Sequence, residues 1–218
     1  MNFLKKPFPR VLSVFIGVIV GVFISSAVIA ATGFSIFGGG SKNNMVTADS
    51  GNAELTALAY NVLEHIRDGD FLALSRTAHP ESGVLFSPCA TVSLSTNKRF
   101  NVGQIAAFGT DSNTYVWGTY YGSGEPIELT PAAYFSEFVF CRNYLDAPLI
   151  GLNRVVRKGN ALENLTEIFP DAKFVDFHIP GGDMESAEDF NWRSLRLGFE
   201  EHDDRLRLIA IVHSIWTV

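Results

Sequence analysis

His213 is the residue of this sequence whose setting most suggests chemistry near neutral pH. On a predicted final strand it shares a face with Ile209, Ile211 and Ile215. A buried imidazole needs a hydrogen-bond partner, and an ordinary pKa of about 6.5 suits the ring to act as a general acid or base. Two readings stay open: a core histidine satisfied by a neighbouring group, or a histidine that faces a pocket.

A row of aromatic and hydroxyl side chains forms a second candidate feature. Tyr115, Trp117, Thr119 and Tyr121 alternate along a predicted strand, so they point to one side of it. Such a row either fills a hydrophobic core or lines a pocket with apolar area and hydroxyl groups. If a pocket forms, we expect its ligand-binding residues to be Tyr115, Trp117, Tyr121 and His213.

The two cysteines, Cys89 and Cys141, are a candidate disulfide pair. They lie 52 positions apart, and a bond would stabilise the fold if the domain is exported to an oxidising compartment. Two buried free thiols are the alternative, because cysteine is often buried. No spacing of cysteine and histidine predicts a metal site, and no nucleophile elbow, phosphate loop or dinucleotide fingerprint predicts a cofactor or a catalytic residue.

A membrane segment precedes these residues. The stretch 11–31, VLSVFIGVIVGVFISSAVIAA, is 21 residues long and carries no charge, which is enough helix to span a bilayer. Lys5, Lys6 and Arg10 precede the stretch, so the positive-inside rule predicts a cytoplasmic N-terminus. A signal peptide cleaved after Ala30 is the competing interpretation. We expect a single-pass signal anchor that carries an extracytoplasmic domain.

Composition and charge distinguish a tether and an acidic domain in the chain after the predicted anchor. A glycine- and asparagine-rich stretch after residue 31 is typical of a flexible tether. Three of the 17 basic residues and none of the 23 acidic ones precede residue 32, so the exported part is strongly acidic, which argues against nucleic-acid binding. The expected organisation is a cytoplasmic N-terminus over 1–10, an anchor over 11–31, a tether over 32–51 and a domain over 52–218.

Helices dominate the first part of the predicted domain. Apolar residues recur at helical spacing from Leu55 to Ile66, and Gly69 ends this first helix. Asp70 is positioned to cap a second helix, and Asn101 with Gln104 resembles a capping box. Thr130 before a proline predicts the start of a further helix, to about residue 142.

Strands dominate the second part. A strand is predicted over 173–179, and a long hairpin turns at Asp203 and Asp204. Both faces of its last strand are apolar, with Leu206, Leu208, Ala210 and Val212 on one face and the isoleucines on the other, so this strand should be central in its sheet. The fold class is therefore α+β, with helices packed on one face of a curved antiparallel sheet. This order of elements resembles the NTF2-like fold, in which a helix and a bent sheet form a cone around a pocket.

A second resemblance lies in short segments of the sequence. It is carried by HPESGVLFSP at 79–88, YVWGTY at 115–120, GSGEPI at 122–127, WRSLR at 192–196 and IVHSIWTV at 211–218. These segments resemble a family of uncharacterised bacterial exported proteins, many of which look like lipoproteins. The resemblance implies a place in the cell envelope and supplies no catalytic residue. This chain departs from the family by lacking a lipid-modified cysteine.

The function that these features predict is a membrane-anchored extracytoplasmic module without catalytic activity. Its partner would be a small apolar ligand or an envelope protein. A further hypothesis is a homodimer formed through the exposed face of the sheet. The alternative is a pocket-type enzyme in which His213 acts as general acid or base. The first hypothesis rests on the anchor, the tether and the lack of catalytic spacing in the sequence.

Overall fold

The computed structural model describes residues 50–182 and 190–216, which form a mixed α+β domain. The predicted anchor, the predicted N-terminal topology and most of the predicted tether lie outside the described residues. Within the described ranges, no helix combines the length and apolar character needed to cross a bilayer.

The helical elements come mainly from the first half of the domain. They are α1 (Ser50–Asp68), α2 (Phe71–Thr77), α3 (Val102–Ala107), α4 (Pro131–Tyr134) and α5 (Leu165–Ile168). A π-helical turn, Phe135–Val139, continues α4, and a 3-10 turn covers Tyr144–Asp146.

The predicted helix boundaries are confirmed where a cap defines them. Gly69 ends α1 with φ +65°, and the Asp70 carboxylate accepts a hydrogen bond from the backbone N–H of Ala73. Asn101 and Gln104 form the predicted capping box of α3, and Thr130 caps α4. These caps satisfy backbone N–H groups that have no partner inside the helix.

Eight strands form two sheets. The strands are β1 (Val84–Ser87), β2 (Lys98–Phe100), β3 (Tyr115–Thr119), β4 (Pro126–Leu129), β5 (Leu149–Leu152), β6 (Lys173–Ile179), β7 (Arg193–His202) and β8 (Arg205–Ile215). The larger sheet has the order β2-β1-β8-β7-β6-β5, and β3 pairs with β4 in a separate two-stranded sheet. Strand β8 is central, as predicted.

The sheet differs from the prediction in one pairing. We expected an antiparallel sheet, but β1 runs parallel to β8, with Leu85 opposite Ala210 and Ser87 opposite Val212. A parallel pair needs a long connection between its strands, and the whole domain between β1 and β8 supplies it.

A β-bulge in β8 overturns the predicted faces of that strand. Gly198 pairs with Ala210 but Phe199 pairs with Leu208, so Ile209 is an extra residue. Leu208 and Ile211 therefore share the main core, whereas Ile209 joins Ala210 and Val212 on the other face. The extra residue breaks the simple alternation and bends the strand.

The core has two parts, one on each face of the larger sheet. Buried residues of α1, α2, α3 and α4 pack on one face with the aromatic side chains of β1 to β3. Helix α5 covers the other face with Leu165, next to Phe174 and Val212. The prediction that all helices pack on one face is therefore correct for four helices and wrong for α5.

Candidate functional site

The structure forms a cleft of about 380 Å³ between the β1–β2 connection and the β3–β4 turn. Its lining carries no formal charge and combines hydroxyl and amide groups with apolar surface: Pro88, Cys89, Thr91, Ser93, Thr96, Asn97, Thr119, Tyr120, Tyr121, Gly122 and Gly124. Hydroxyl and amide groups thus face a concave surface whose size is typical of small-molecule sites.

Backbone turns hold both walls of the cleft. On one wall, the Asn97 side-chain oxygen accepts a hydrogen bond from the Ser93 N–H at 2.6 Å, which closes a tight loop. On the other wall, the Tyr120 N–H donates to the Glu125 carbonyl at 2.8 Å, and Gly122 and Gly124 adopt positive φ. Glycine tolerates that conformation without strain, so the GSG segment can turn tightly beside the cleft.

Two tyrosines present partly exposed rings to the cleft. The Tyr121 ring is 45% exposed, and its hydroxyl lies 3.2 Å from the Thr91 hydroxyl. The Thr91 hydroxyl donates to the Leu162 carbonyl at 2.9 Å, so the Tyr121 hydroxyl donates to Thr91. The Tyr120 hydroxyl donates to the Glu137 carboxylate at 3.1 Å. These bonds hold both rings in defined orientations.

Cys89 sits in the cleft as a protonated thiol. Its Sγ donates to the Thr91 carbonyl at 3.3 Å, and burial raises the pKa of the thiol above its ordinary value. A thiolate is the reactive form of cysteine, so this environment disfavours nucleophilic chemistry at Cys89.

Asn164 fastens one wall of the cleft to a neighbouring segment. The Val92 N–H donates to the Asn164 side-chain oxygen at 2.7 Å, and the Asn164 side-chain nitrogen donates to the Val92 carbonyl at 2.9 Å. Both bonds are buried, so they fix the wall firmly against the segment that precedes α5.

Behind this wall lies a buried charge cluster, formed by Glu163, Asp176 and Arg196. The Arg196 guanidinium donates to the Glu163 carboxylate, and its Nε lies 3.5 Å from Asp176 Oδ1. Asp176 Oδ2 also accepts the Val156 N–H at 2.7 Å. Burial raises the pKa of Asp176, and the nearby Arg196 opposes that rise.

Four buried atoms of this cluster have no hydrogen-bond partner among the described residues: Glu163 Oε1, Asp176 Oδ1, and Arg196 Nε and Nη2. The cluster was not predicted from the sequence. The available signal was a pair of charged residues, Asp176 and Arg196, each flanked by apolar residues within its strand.

His213 is buried and is not among the lining residues of the cleft, but it contacts the carbonyl of the lining residue Pro88. The Pro88 carbonyl can only accept, so His213 Nδ1 donates to it at 3.3 Å. In the neutral ring Nε2 is then an acceptor, and it lies 3.7 Å from Cys141 Sγ. Burial lowers the pKa of His213 from 6.5 to about 4. The ring also packs edge-on against Phe138.

The four residues expected to line one pocket occupy three different places. Trp117 is fully buried, and its ring stacks on Tyr134 with the ring centroids 3.8 Å apart. Its indole N–H donates to the Leu129 carbonyl. Tyr115 packs against core rings and donates its hydroxyl to Asp111 at 2.7 Å. Tyr121 lines the cleft, and His213 lies near Cys141. A register shift between Val116 and Thr119 divides the predicted aromatic row into a core half and a cleft half.

Cys89 and Cys141 are both free thiols in this structure. Cys141 Sγ contacts the Tyr144 hydroxyl at 3.4 Å in addition to His213, whereas Cys89 contacts Thr91. In the part of the chain that the structure describes, no group of three or more histidine, cysteine or acidic side chains is placed to hold a metal ion.

No protein-family model and no curated protein matches this chain. The comparison with solved structures does find similar chains. An NTF-2 like protein of unknown function from Shewanella oneidensis MR-1 is 13% identical, with a TM-score of 0.33 over 75% of this chain and 98% of that chain. An NTF2-like protein of unknown function from Pseudomonas putida KT2440 is 11% identical, with a TM-score of 0.31 over 76% of this chain and 86% of that chain. Both of these structures are NTF2-like proteins, and no ligand or activity follows from the likeness.

Proposed function

We propose that this protein is a membrane-anchored, extracytoplasmic binding module that holds a small ligand in the cleft between residues 88–97 and 119–124. The observation that carries the proposal is the cleft itself, whose lining offers uncharged hydrogen-bonding groups and two oriented tyrosine rings. Its one thiol is protonated and hydrogen-bonded. Such a surface is suited to hold a ligand and supplies no activated nucleophile.

The anchor in this proposal is the uncharged stretch 11–31 with its basic N-terminal flank. It would place the domain outside the cytoplasmic membrane. Protease treatment of intact spheroplasts tests the topology: the domain should be digested, and a fragment of the N-terminus should stay with the membrane. A domain that is protected in intact spheroplasts and digested only after lysis contradicts it.

The environment of His213 argues against the alternative of a pocket-type enzyme that uses this residue. Its two ring nitrogens face Pro88 and Cys141, and its lowered pKa keeps the imidazole neutral at pH 7. The lining of the cleft does not include it. These contacts fit a histidine that joins β8 to the end of β1.

Native mass spectrometry of the full chain, extracted from membranes in detergent, tests binding. We expect the wild type to retain an adduct of small-molecule mass. Thr119→Trp would fill the cleft and should abolish the adduct, whereas Leu72→Trp, at an exposed position away from the cleft, should keep it. A bare wild-type chain, or an adduct that survives in Thr119→Trp, would refute binding in this cleft.

A further inference from the structure

The cleft lining defines the chemistry of its ligand. None of its residues carries a formal charge, so it offers no ion-pair partner to an anion or a cation. A charged ligand would lose hydration without gaining an opposite charge, which is unfavourable. A purely apolar ligand would bury the hydroxyl and amide groups without a partner, which is also unfavourable. The cleft therefore suits a neutral ligand that carries both hydrogen-bonding groups and apolar surface.

Several polar groups of the cleft remain available for such a ligand. Thr91 and Tyr121 bind each other, and the Asn97 oxygen is used by Ser93. The Thr96 and Thr119 hydroxyls make no side-chain hydrogen bond within the described ranges, nor does the Asn97 side-chain nitrogen. A hydroxyl both donates and accepts, so these groups match the hydroxyls of a ligand in either direction.

The tyrosines supply the apolar part of the site. Tyr120 and Tyr121 are 37% and 45% exposed, and both rings are oriented through their hydroxyl groups. An exposed aromatic ring held in place is a surface on which a flat face of C–H groups can pack. A ligand with ring C–H faces and a rim of hydroxyls would use both kinds of group.

A second hollow lies beside the cleft. It has a volume of about 440 Å³, shares Thr96, Asn97 and Thr119 with the cleft, and continues to Lys98 and Val116. Lys98 gives this second hollow a positive charge, so the uncharged site is the cleft alone.

We infer that the cleft binds a neutral saccharide. This inference rests on the proposed function and specifies its ligand class. A saccharide presents hydroxyls at its edge and C–H groups on the faces of its rings, which matches the uncharged lining with its hydroxyl and amide groups and its two tyrosines.

The test uses the full chain in detergent and a panel of saccharides of several linkages, neutral and anionic. We expect saturable binding to at least one neutral member, measured by isothermal titration calorimetry. Tyr121→Ala should weaken that binding about tenfold or more, because a ring face is lost. Thr119→Val, which replaces one hydroxyl by a methyl group, should weaken it by a smaller factor.

Two controls separate binding from folding. Tyr121→Phe keeps the ring and should bind more tightly than Tyr121→Ala, and Leu72→Ala should bind like the wild type. Binding of anionic members alone, binding of no member, or equal weakening by Leu72→Ala would overturn the inference. If native mass spectrometry finds a peptide or lipid adduct that Thr119→Trp removes, the proposed function stands and the saccharide inference fails.

Discussion

His213 shows how burial determines what a titratable side chain can do. Its pKa is lowered from 6.5 to about 4, because burial disfavours the charged ring more strongly than the Pro88 carbonyl favours it. The unfolded chain therefore binds a proton between these two pH values that the folded chain does not. This residue contributes full stability above about pH 6.5 and loses it as the pH falls towards 4.

We expect His213→Gln to remove this pH dependence from the free energy of unfolding. Relative to this variant, the wild type should lose about 3 kcal/mol of stability between pH 7.5 and pH 4, the equivalent of the pKa shift. Urea unfolding at several pH values measures the difference. Comparing the two proteins is necessary because the raised pKa of Asp176 acts in the opposite direction. A constant difference across this pH range would contradict the neutral, buried assignment of His213.

Arg196 is the positive member of a cluster with two buried carboxylates. Replacing it by methionine keeps the volume but leaves Glu163 and Asp176 without their cation. We expect Arg196→Met to reduce the free energy of unfolding by about 3–5 kcal/mol, the usual effect of breaking a buried ion pair. Chemical denaturation of the variant measures it.

The matched control is the exposed ion pair between Arg67 and Asp68. Arg67→Met should leave stability unchanged within error, because surface pairs are screened by water. Adding Glu163→Gln and Asp176→Asn to Arg196→Met should recover part of the loss, since no buried charge is then unpaired. Equal effects of Arg196→Met and Arg67→Met would show that the cluster is not stabilised by its charges.

The elements of the fold could be predicted where local chemistry determines them. The cap at Asp70, the capping box at Asn101 and the turn at Asp203 and Asp204 act within a few residues, so the sequence displays them directly. The β1–β8 pairing could not be predicted, because it joins segments separated by most of the domain. The bulge at Ile209 was also missed, because an alternating pattern conceals one inserted residue when both faces of the strand are apolar.

Asn164 connects the segment before α5 to the cleft wall, so its effect is local to that element. We expect Asn164→Ala to expose the backbone of residues 91–97 to solvent, because two buried hydrogen bonds to Val92 are lost. Hydrogen exchange followed by mass spectrometry should show faster exchange there, with a stability loss of about 1–3 kcal/mol.

Asn143→Ala is the control for this prediction. The Asn143 side chain donates to Asp146 at 2.6 Å in an exposed turn, so its removal should not change exchange in residues 91–97. Unchanged exchange of residues 91–97 in Asn164→Ala would mean that this wall of the cleft does not depend on the two hydrogen bonds between Asn164 and Val92.

At the scale of the whole molecule, the candidate site is a product of the tertiary structure. The cleft joins the β1–β2 connection to the β3–β4 turn, which are about thirty residues apart in the chain. Only Tyr121 of the four predicted pocket residues lines it. The aromatic row pointed to this part of the chain, but the register shift in β3 decides which members reach the cleft and which join the core.

The central claim is that the cleft, and not the surroundings of His213, is where the protein meets its ligand. Hydrogen exchange tests this most directly, by comparing the full chain as purified from cells with the same chain stripped of adducts by unfolding and refolding. We expect stripping to accelerate exchange in residues 88–97 and 119–124. Identical exchange in both samples, or a change confined to residues 138–144 beside His213 and Cys141, would contradict it.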